Sequence, residues 1–310
     1  MQIWSGDSRR TTPAVVTIGN FDGVHRGHQA LIMTAQERAR RRGQEMLAMT
    51  FEPHPVTVLK GMVANFLLTP GGLKAHYLER AGVENLAVIP FTPAFAAMEP
   101  ERFLDAVLKE QFQASTVVVG FNFSFGRGGR GNAAMLEQWG ERHGIEVVIA
   151  PPYVDAETHQ AVSSTMVRQE LAAGAVDGAE RLLGHAFSVE GPVLQGDQRG
   201  RAMEVPTLNL KPPAVQVMPP YGVYAGWVAV EDETLMAVAN WGVRPTFGGI
   251  DPILEAHALE PMAFGHYGQT VRFDFCCRLR EERKFDSTEA LVGQIAADVQ
   301  QARELLASRR

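Results

Sequence analysis

Residues Gly19-Asn-Phe-Asp-Gly-Val-His-Arg-Gly-His28 follow a short apolar run, 14–18, and precede an amphipathic run, 29–42. A strand, a glycine-rich turn and a helix in that order build an anion site. The turn presents backbone N–H groups, and the helix start adds a partial positive charge. Gly19, Gly23 and Gly27 let the backbone turn tightly and leave room for a bulky anion. His25 and His28, three residues apart near the helix start, can both face the same phosphates. A neutral imidazole donates one hydrogen bond, whereas an imidazolium donates two and adds charge. The competing reading is a structural turn with a metal-binding or surface histidine pair.

Outward from this turn, β-prone runs at 15–18, 46–50, 86–89, 116–119 and 146–149 alternate with helical patterns near 27–42, 72–82, 101–113 and 132–143. That alternation predicts parallel strands joined by crossover helices, hence an α/β doubly wound sheet over residues 1–183. Ligands of such sheets sit beyond the carboxyl ends of the strands. From Phe187 the pattern changes to short alternating segments, among them 224–230, 235–239, 254–259 and 270–279. These predict a small antiparallel β-barrel over 187–310. Asp286-Ser-Thr-Glu289 reads as a capping box, and Leu291, Ile295, Val299, Ala302 and Leu306 recur at helical spacing. That stripe is expected to pack a C-terminal helix on the barrel.

Composition narrows the class. At 310 residues the chain has room for about two domains. It is 45% hydrophobic and 21% charged, ordinary for a soluble globular protein. A net charge of −6 argues against general nucleic-acid binding. No apolar run approaches the roughly 18 residues of a membrane span, and Met1-Gln-Ile-Trp-Ser-Gly-Asp7 lacks a signal-peptide core. Cys276 and Cys277 are the only cysteines. Adjacent strand residues point to opposite faces, so the two thiols suit neither a metal pair nor an ordinary disulfide. The expectation is a cytoplasmic protein, a monomer or weak homo-oligomer, with no nucleic-acid or membrane partner.

The His-x-Gly-His at 25–28 resembles the signature of the nucleotidylyltransferases. The longer string from Gly19 through Gln29 resembles the bacterial bifunctional riboflavin kinase/FAD synthetase family. The likeness continues to the C-terminus. It implies a nucleotidylyltransferase-like sheet, a riboflavin kinase-like barrel, and the substrates riboflavin, FMN and ATP with Mg²⁺. A phosphate oxygen of FMN would attack the α-phosphorus of ATP, and pyrophosphate would leave. His25 and His28 would stabilise charge. Gly19, Phe21, Asp22 and Gly23 would contact the nucleotide.

Three further stretches of the first half match the family. Phe51-Glu-Pro-His-Pro55 is a stiffened loop that shapes a pocket wall or simply connects two elements. Val119-Gly-Phe-Asn-Phe-Ser-Phe-Gly126 carries three aromatics at alternate positions, one face of an extended segment that suits a flavin ring or a core. Asn122 is its polar exception, in the family close to the reacting phosphates, and Phe123 and Phe125 would wall the flavin. Val162-Ser-Ser-Thr-Met-Val-Arg168 opens a helix with Ser163 or Ser164 as cap. By resemblance Ser163, Ser164 and Thr165 hold an ATP phosphate and Arg168 reaches the pyrophosphate. Gly126-Arg-Gly-Gly-Arg-Gly131 reads as a mobile basic loop, either a lid over phosphates or plain surface.

In the second half Gly196-Asp-Gln-Arg-Gly-Arg201 and Pro206-Thr-Leu-Asn209 resemble the riboflavin kinase pattern. Gly196, Gly200 and Arg201 would bind nucleotide. Thr207 and Asn209 share a strand face and offer hard oxygens, and the resemblance makes them the ligands of Mg-ATP. Glu255 and His257 share another strand face, and the resemblance makes Glu255 the general base for the ribityl hydroxyl. Arg280 is a candidate contact to the flavin phosphate. Two departures stand out: Glu204-Val205 replaces the usual Gly-Phe, and Leu259-Glu-Pro261 replaces Leu-Asp-Phe. The rival readings are a monofunctional FMN adenylyltransferase with an impaired barrel, a cytidylyl- or adenylyltransferase for another phosphate carrying an unrelated barrel, and a non-enzymatic flavin sensor.

Overall fold

The computed structural model of the chain describes residues 1–194, 207–231, 233–246, 249–260 and 266–309. The chain forms two compact units. One comprises Met1–Val63 and Lys74–Ser163, the other Ala64–Leu73 and Ser164–Arg310.

The first unit is built on a six-stranded parallel sheet. Its strands are β1 (Gln2–Trp4), β2 (Ala14–Ile18), β3 (Glu45–Glu52), β4 (Asn85–Pro90), β5 (Ala114–Gly120) and β8 (Glu146–Ala150). They lie in the order β1-β4-β3-β2-β5-β8, every pair parallel. The order reverses around β2, which places the turn after β2 where doubly wound sheets bind ligands. All five residues of β2 are buried, as a strand covered on both faces must be. Leu31, Ile32, Ala35 and Ala39 bury the inner face of helix Arg26–Arg42. Ala14, Val16 and Ile18 join Phe103, Leu104, Val107 and Trp139 in a core with the wide π-type helix Phe103–Gln111 and helix Ala133–His143. The short edge strand β1 escapes sequence reading, because three residues carry no periodicity.

A two-stranded ribbon, β6 (Ser124–Phe125) with β7 (Gly131–Asn132), corrects two expectations in this unit. Residues 121–122 form a turn, so the three aromatics do not share one extended face. Phe121 is 51% exposed, whereas Phe125 is buried in the core against Phe103. The basic loop between the ribbon strands is a tight turn pinned in place. Arg127 N–H donates to the Met98 carbonyl at 2.7 Å, and Glu99 pairs with Arg127 and Arg130 at 3.5 and 3.8 Å.

In the second unit β9 (Phe187–Leu194), β10 (Thr207–Leu210), β11 (Gly222–Val230), β12 (Glu233–Thr246), β13 (Gly249–Ala258) and β14 (Thr270–Arg280) close a barrel in the order β10-β13-β12-β11-β14-β9. Tyr224, Phe187 and Phe273 pack around Phe275 in its core. The segment Ala64–Leu73 belongs here: Phe66 N–H bonds the Val215 carbonyl at 2.8 Å, and the buried Gln216 amide donates to the carbonyls of Leu68 and Ser188.

The C-terminal helix Thr288–Ala307 is capped by the Ser287 side chain, which accepts from Ala290 N–H. Its buried line is Asp298, Ala302 and Leu306, while Leu291 is exposed, so only the second half of the expected stripe packs. Under it lies a register shift between β11 and β14, where Ala225 pairs with Cys277 and Gly226 with Phe275. This bulge defeats strict alternation, and Cys276 and Cys277 both pack against the same apolar cluster. Both are free thiols, and burial pushes the Cys276 thiol up to about 12.

Candidate active sites

The turn after β2 is tied to β3. Gly19 N–H bonds the Met49 carbonyl and the Thr50 hydroxyl bonds the Asn20 carbonyl, both at 3.1 Å. Its backbone is strained, with Phe21 at φ 48°, Gly23 at φ 87° and Val24 at φ 42°. A β-branched residue at positive φ is unusual and marks a turn that the surroundings over-determine. Phe21, Asp22 and Val24 are all buried. His25 caps helix Arg26–Arg42, its Nδ1 accepting from His28 N–H at 3.3 Å.

That cap bond brings the two imidazoles together. Their rings stack 3.7 Å apart at 16°, and Phe21 meets His28 edge-on at 5.3 Å. A Cβ on Gly27 would lie 3.1 Å from the His25 ring and 3.3 Å from the Val162 carbonyl, so the glycine keeps that ring in place. Burial, His25 and the Lys74 ammonium together hold the His28 pKa well below the ordinary histidine value. His28 is therefore uncharged at neutral pH and offers an oriented hydrogen bond rather than an imidazolium. Among the described residues its buried Nδ1 has no hydrogen-bond partner.

Other expected residues take varied positions. His54 caps helix Pro55–Lys60, Nδ1 accepting from Val56 N–H. This local bond gives the stiff connector its form. Asn122 is exposed in its turn, and Phe123 stacks on Phe125 at 5.3 Å. Ser163 directly precedes helix Ser164–Ala172, whose first turn holds Thr165. Arg168, in the second unit, donates from Nε to the Phe66 carbonyl at 2.7 Å and stacks over the Phe66 ring at 4.2 Å.

The barrel site is assembled by register. β10 pairs antiparallel with β13 so that Thr207 faces His257 and Asn209 faces Glu255. Residues paired directly across neighbouring strands share a face, so the two sequence pairs become one four-residue cluster. The Thr207 hydroxyl and His257 Nδ1 lie 3.4 Å apart, and burial lowers the His257 pKa. Asn209 is 8% exposed, and among the described residues its Oδ1 has no hydrogen-bond partner. A buried orphan carbonyl oxygen is costly unless a ligand completes it. With the Thr207 hydroxyl two residues away on the same face, it fits a hard cation such as Mg²⁺. On the other side of β13, β12 places Asn240 opposite Glu255.

Arg280 is held within the second unit. Its guanidinium grips the buried Asp298 carboxylate, with Nε and Nη2 contacts of 2.8–3.1 Å, and so fastens the C-terminal helix to β14. Gly196, Gly200 and Arg201, with the Glu204-Val205 departure, lie outside the described residues. Of the second departure, Pro261 lies outside them too, while Leu259 packs under the C-terminal helix and its carbonyl accepts from Arg303. Among the described residues no helix is long and apolar enough to cross a membrane.

A parallel sheet with a strained imidazole turn, and a barrel whose register makes a hydroxyl–amide–carboxylate face, define a two-site transferase that handles nucleotide phosphates. The FAD synthetase family model matches residues 7–166 and the riboflavin kinase model matches residues 183–306. Proteins named bifunctional riboflavin kinase/FMN adenylyltransferase are similar along nearly the whole chain. The one from Escherichia coli is 38% identical, covering 94% of this chain and 92% of its own. That from Bacillus subtilis is 34% identical, covering 93% and 91%. A crystal structure described as a macrolide-efflux protein from Streptococcus pneumoniae superposes with a TM-score of 0.87 at 31% identity, covering 98% of this chain and 99% of that one. The chain belongs to the bifunctional riboflavin kinase/FMN adenylyltransferase family.

Proposed function

We propose that this chain phosphorylates riboflavin to FMN at the barrel and adenylylates FMN to FAD at the histidine turn. The observation that carries the reading is the presence of both constellations in one chain: the stacked His25–His28 pair and the in-register Thr207, Asn209, Glu255 and His257. For adenylylation the functional half takes residues 1–183, and for the kinase 187–310.

In adenylylation a phosphate oxygen of FMN attacks the α-phosphorus of ATP, and the bond to the bridging oxygen breaks to release pyrophosphate. No protein nucleophile takes part. The turn at Gly19, Phe21, Asp22 and Gly23 holds the nucleotide, with Ser163, Ser164 and Thr165 on a phosphate. His25, His28 and Arg168 stabilise the charge that moves onto pyrophosphate. Asn122 and Phe123 line the flavin side. Phe125 supports Phe123 from the core.

In the kinase reaction Glu255 takes the proton of the ribityl terminal hydroxyl as its oxygen attacks the γ-phosphorus of ATP, and ADP leaves. Thr207 and Asn209 would hold Mg²⁺, which neutralises phosphate charge when bound. His257 Nδ1 lies 3.4 Å from the Thr207 hydroxyl and orients it. Gly196, Gly200 and Arg201 complete the nucleotide contacts. We place both reactions in the cytoplasm, where ATP is at hand, and assign the chain no nucleic-acid or membrane partner.

Purified protein is incubated with riboflavin and Mg-ATP, and in parallel with FMN and Mg-ATP, and the flavins are separated by chromatography. FAD is expected from both. FAD from FMN alone would reduce the reading to a monofunctional adenylyltransferase, and no FAD from FMN would sink it.

A further inference from the structure

Lys74, in helix Gly72–Arg80, is a buried cation that the reactions above do not use. It is only 6% exposed. Its ammonium meets the Phe51 carbonyl and the Glu52 carboxylate, each at 3.3 Å. Charge-assisted hydrogen bonds are ordinarily about 2.7–2.9 Å long, so both contacts are loose. An ammonium has three donors, and these two groups are its hydrogen-bond partners among the described residues. The Glu52 side chain is 51% exposed, so much of its charge is spent on solvent. A buried ammonium whose one counter-charge is loose and half-exposed leaves room for a second anionic partner.

The position of Lys74 says which ligand. Gly19 and Asn20, where β2 enters its turn, bond the Met49 carbonyl and the Thr50 hydroxyl of β3. Phe51 is the next residue of β3, so its carbonyl brings the Lys74 ammonium to the carboxyl edge of the sheet beside that turn. The ammonium is close enough for its charge to act on His28. A polyphosphate is the ligand class whose charge would offset the burial of this cation at such an edge.

We propose that Lys74 is the fixed positive charge of the adenylylation site, held ready for the polyphosphate of the nucleotide, while His25 and His28 supply oriented hydrogen bonds. The proposal rests on the adenylyltransferase reading. Glu52 holds the ammonium until the phosphates arrive, and the Phe51 carbonyl aims it. Lys74 is thus the first partner for the pyrophosphate charge.

The test compares the unaltered protein with Lys74→Gln and Lys74→Met in FMN adenylylation. Riboflavin phosphorylation by the same chain is the folding control. The kcat/KM for ATP is expected to fall about 10–100-fold, the range for a lost bond to a charged group. The inhibition constant of added pyrophosphate rises by a similar factor. The KM for FMN stays within about twofold. Unchanged ATP and pyrophosphate constants in both Lys74 variants would overturn the proposal. Equal loss of both activities, or a loss confined to the KM for FMN, would overturn it too, because either shows a structural role. Unaltered protein that makes FMN but no FAD would overturn the adenylyltransferase reading itself, and the Lys74 proposal with it.

Discussion

The two phosphate-handling sites are made in opposite ways. The histidine turn is local: ten consecutive residues carry its glycines and both imidazoles, and a single cap bond stacks the rings. The barrel site is non-local. Thr207 and Asn209 meet Glu255 and His257 across nearly fifty residues, and only the β10–β13 register joins them. A turn-built site is fixed by φ and ψ within a few residues, whereas a register-built site depends on the barrel closing as a whole. Damage to the turn should therefore stay within one activity. Damage to a barrel strand should reach stability as well as phosphorylation.

Variants can break this comparison. The largest effect is expected for Glu255→Gln, which removes the base and keeps the strand. Riboflavin phosphorylation should fall about 10²–10⁴-fold with FMN adenylylation unchanged. Loss of both activities would show that the sites are not separable. His28→Ala is the mirror experiment: FAD formation should fall about 10²–10³-fold while FMN formation from riboflavin persists. Full turnover in a folded variant would remove the imidazole pair from the chemistry.

Asn209→Ala sharpens the reading of the orphan oxygen. Calorimetric titration should show Mg-ATP binding weakened about 10–100-fold, in the range of a lost bond to a charged group. If affinity holds, the Asn209 amide is structural.

The smallest effect concerns pH. The folded-state pKa of His28 lies below its unfolded value of about 6.5. As pH falls, the unfolded chain takes up that proton first. The contribution of His28 to stability is therefore complete above about pH 6.5 and is lost as pH drops toward the folded-state pKa. FAD formation should be flat through neutral pH and decline only in that acid window. Thermal unfolding of His28→Gln should lose less between about pH 7.5 and pH 5.5 than that of the unaltered protein. Equal losses would separate His28 from the acid sensitivity.

How much was legible depends on the range of the interaction. The alternation of strands and helices, the histidine turn and the barrel strands show in the sequence because each follows a short period or a contiguous motif. Edge strand β1 has too few residues for a period, and Cys276 and Cys277 obey alternation in the sequence but not across a bulge. The aromatics at 121–125 look continuous until a turn sends Phe125 into the core. Arg280 reads in the sequence only as a candidate phosphate contact, and its partner, the buried Asp298 eighteen residues later, shows only in the fold. Lys74 carries no mark in its helical pattern at all. Only its burial and loose partners single it out.

The amino-acid sequence by itself determined the two architectures, the anion turn and the chemical type of each site, since these follow from local backbone preference and from which donors and acceptors stand a few residues apart. Tertiary structure alone decided which charges are used up and which are kept. It paired Arg280 with Asp298, left Asn209 Oδ1 and His28 Nδ1 unsatisfied among the described residues, and buried Lys74 beside the turn. The physical reason is that desolvation and pairing depend on neighbours brought together by packing, and no linear pattern specifies those neighbours.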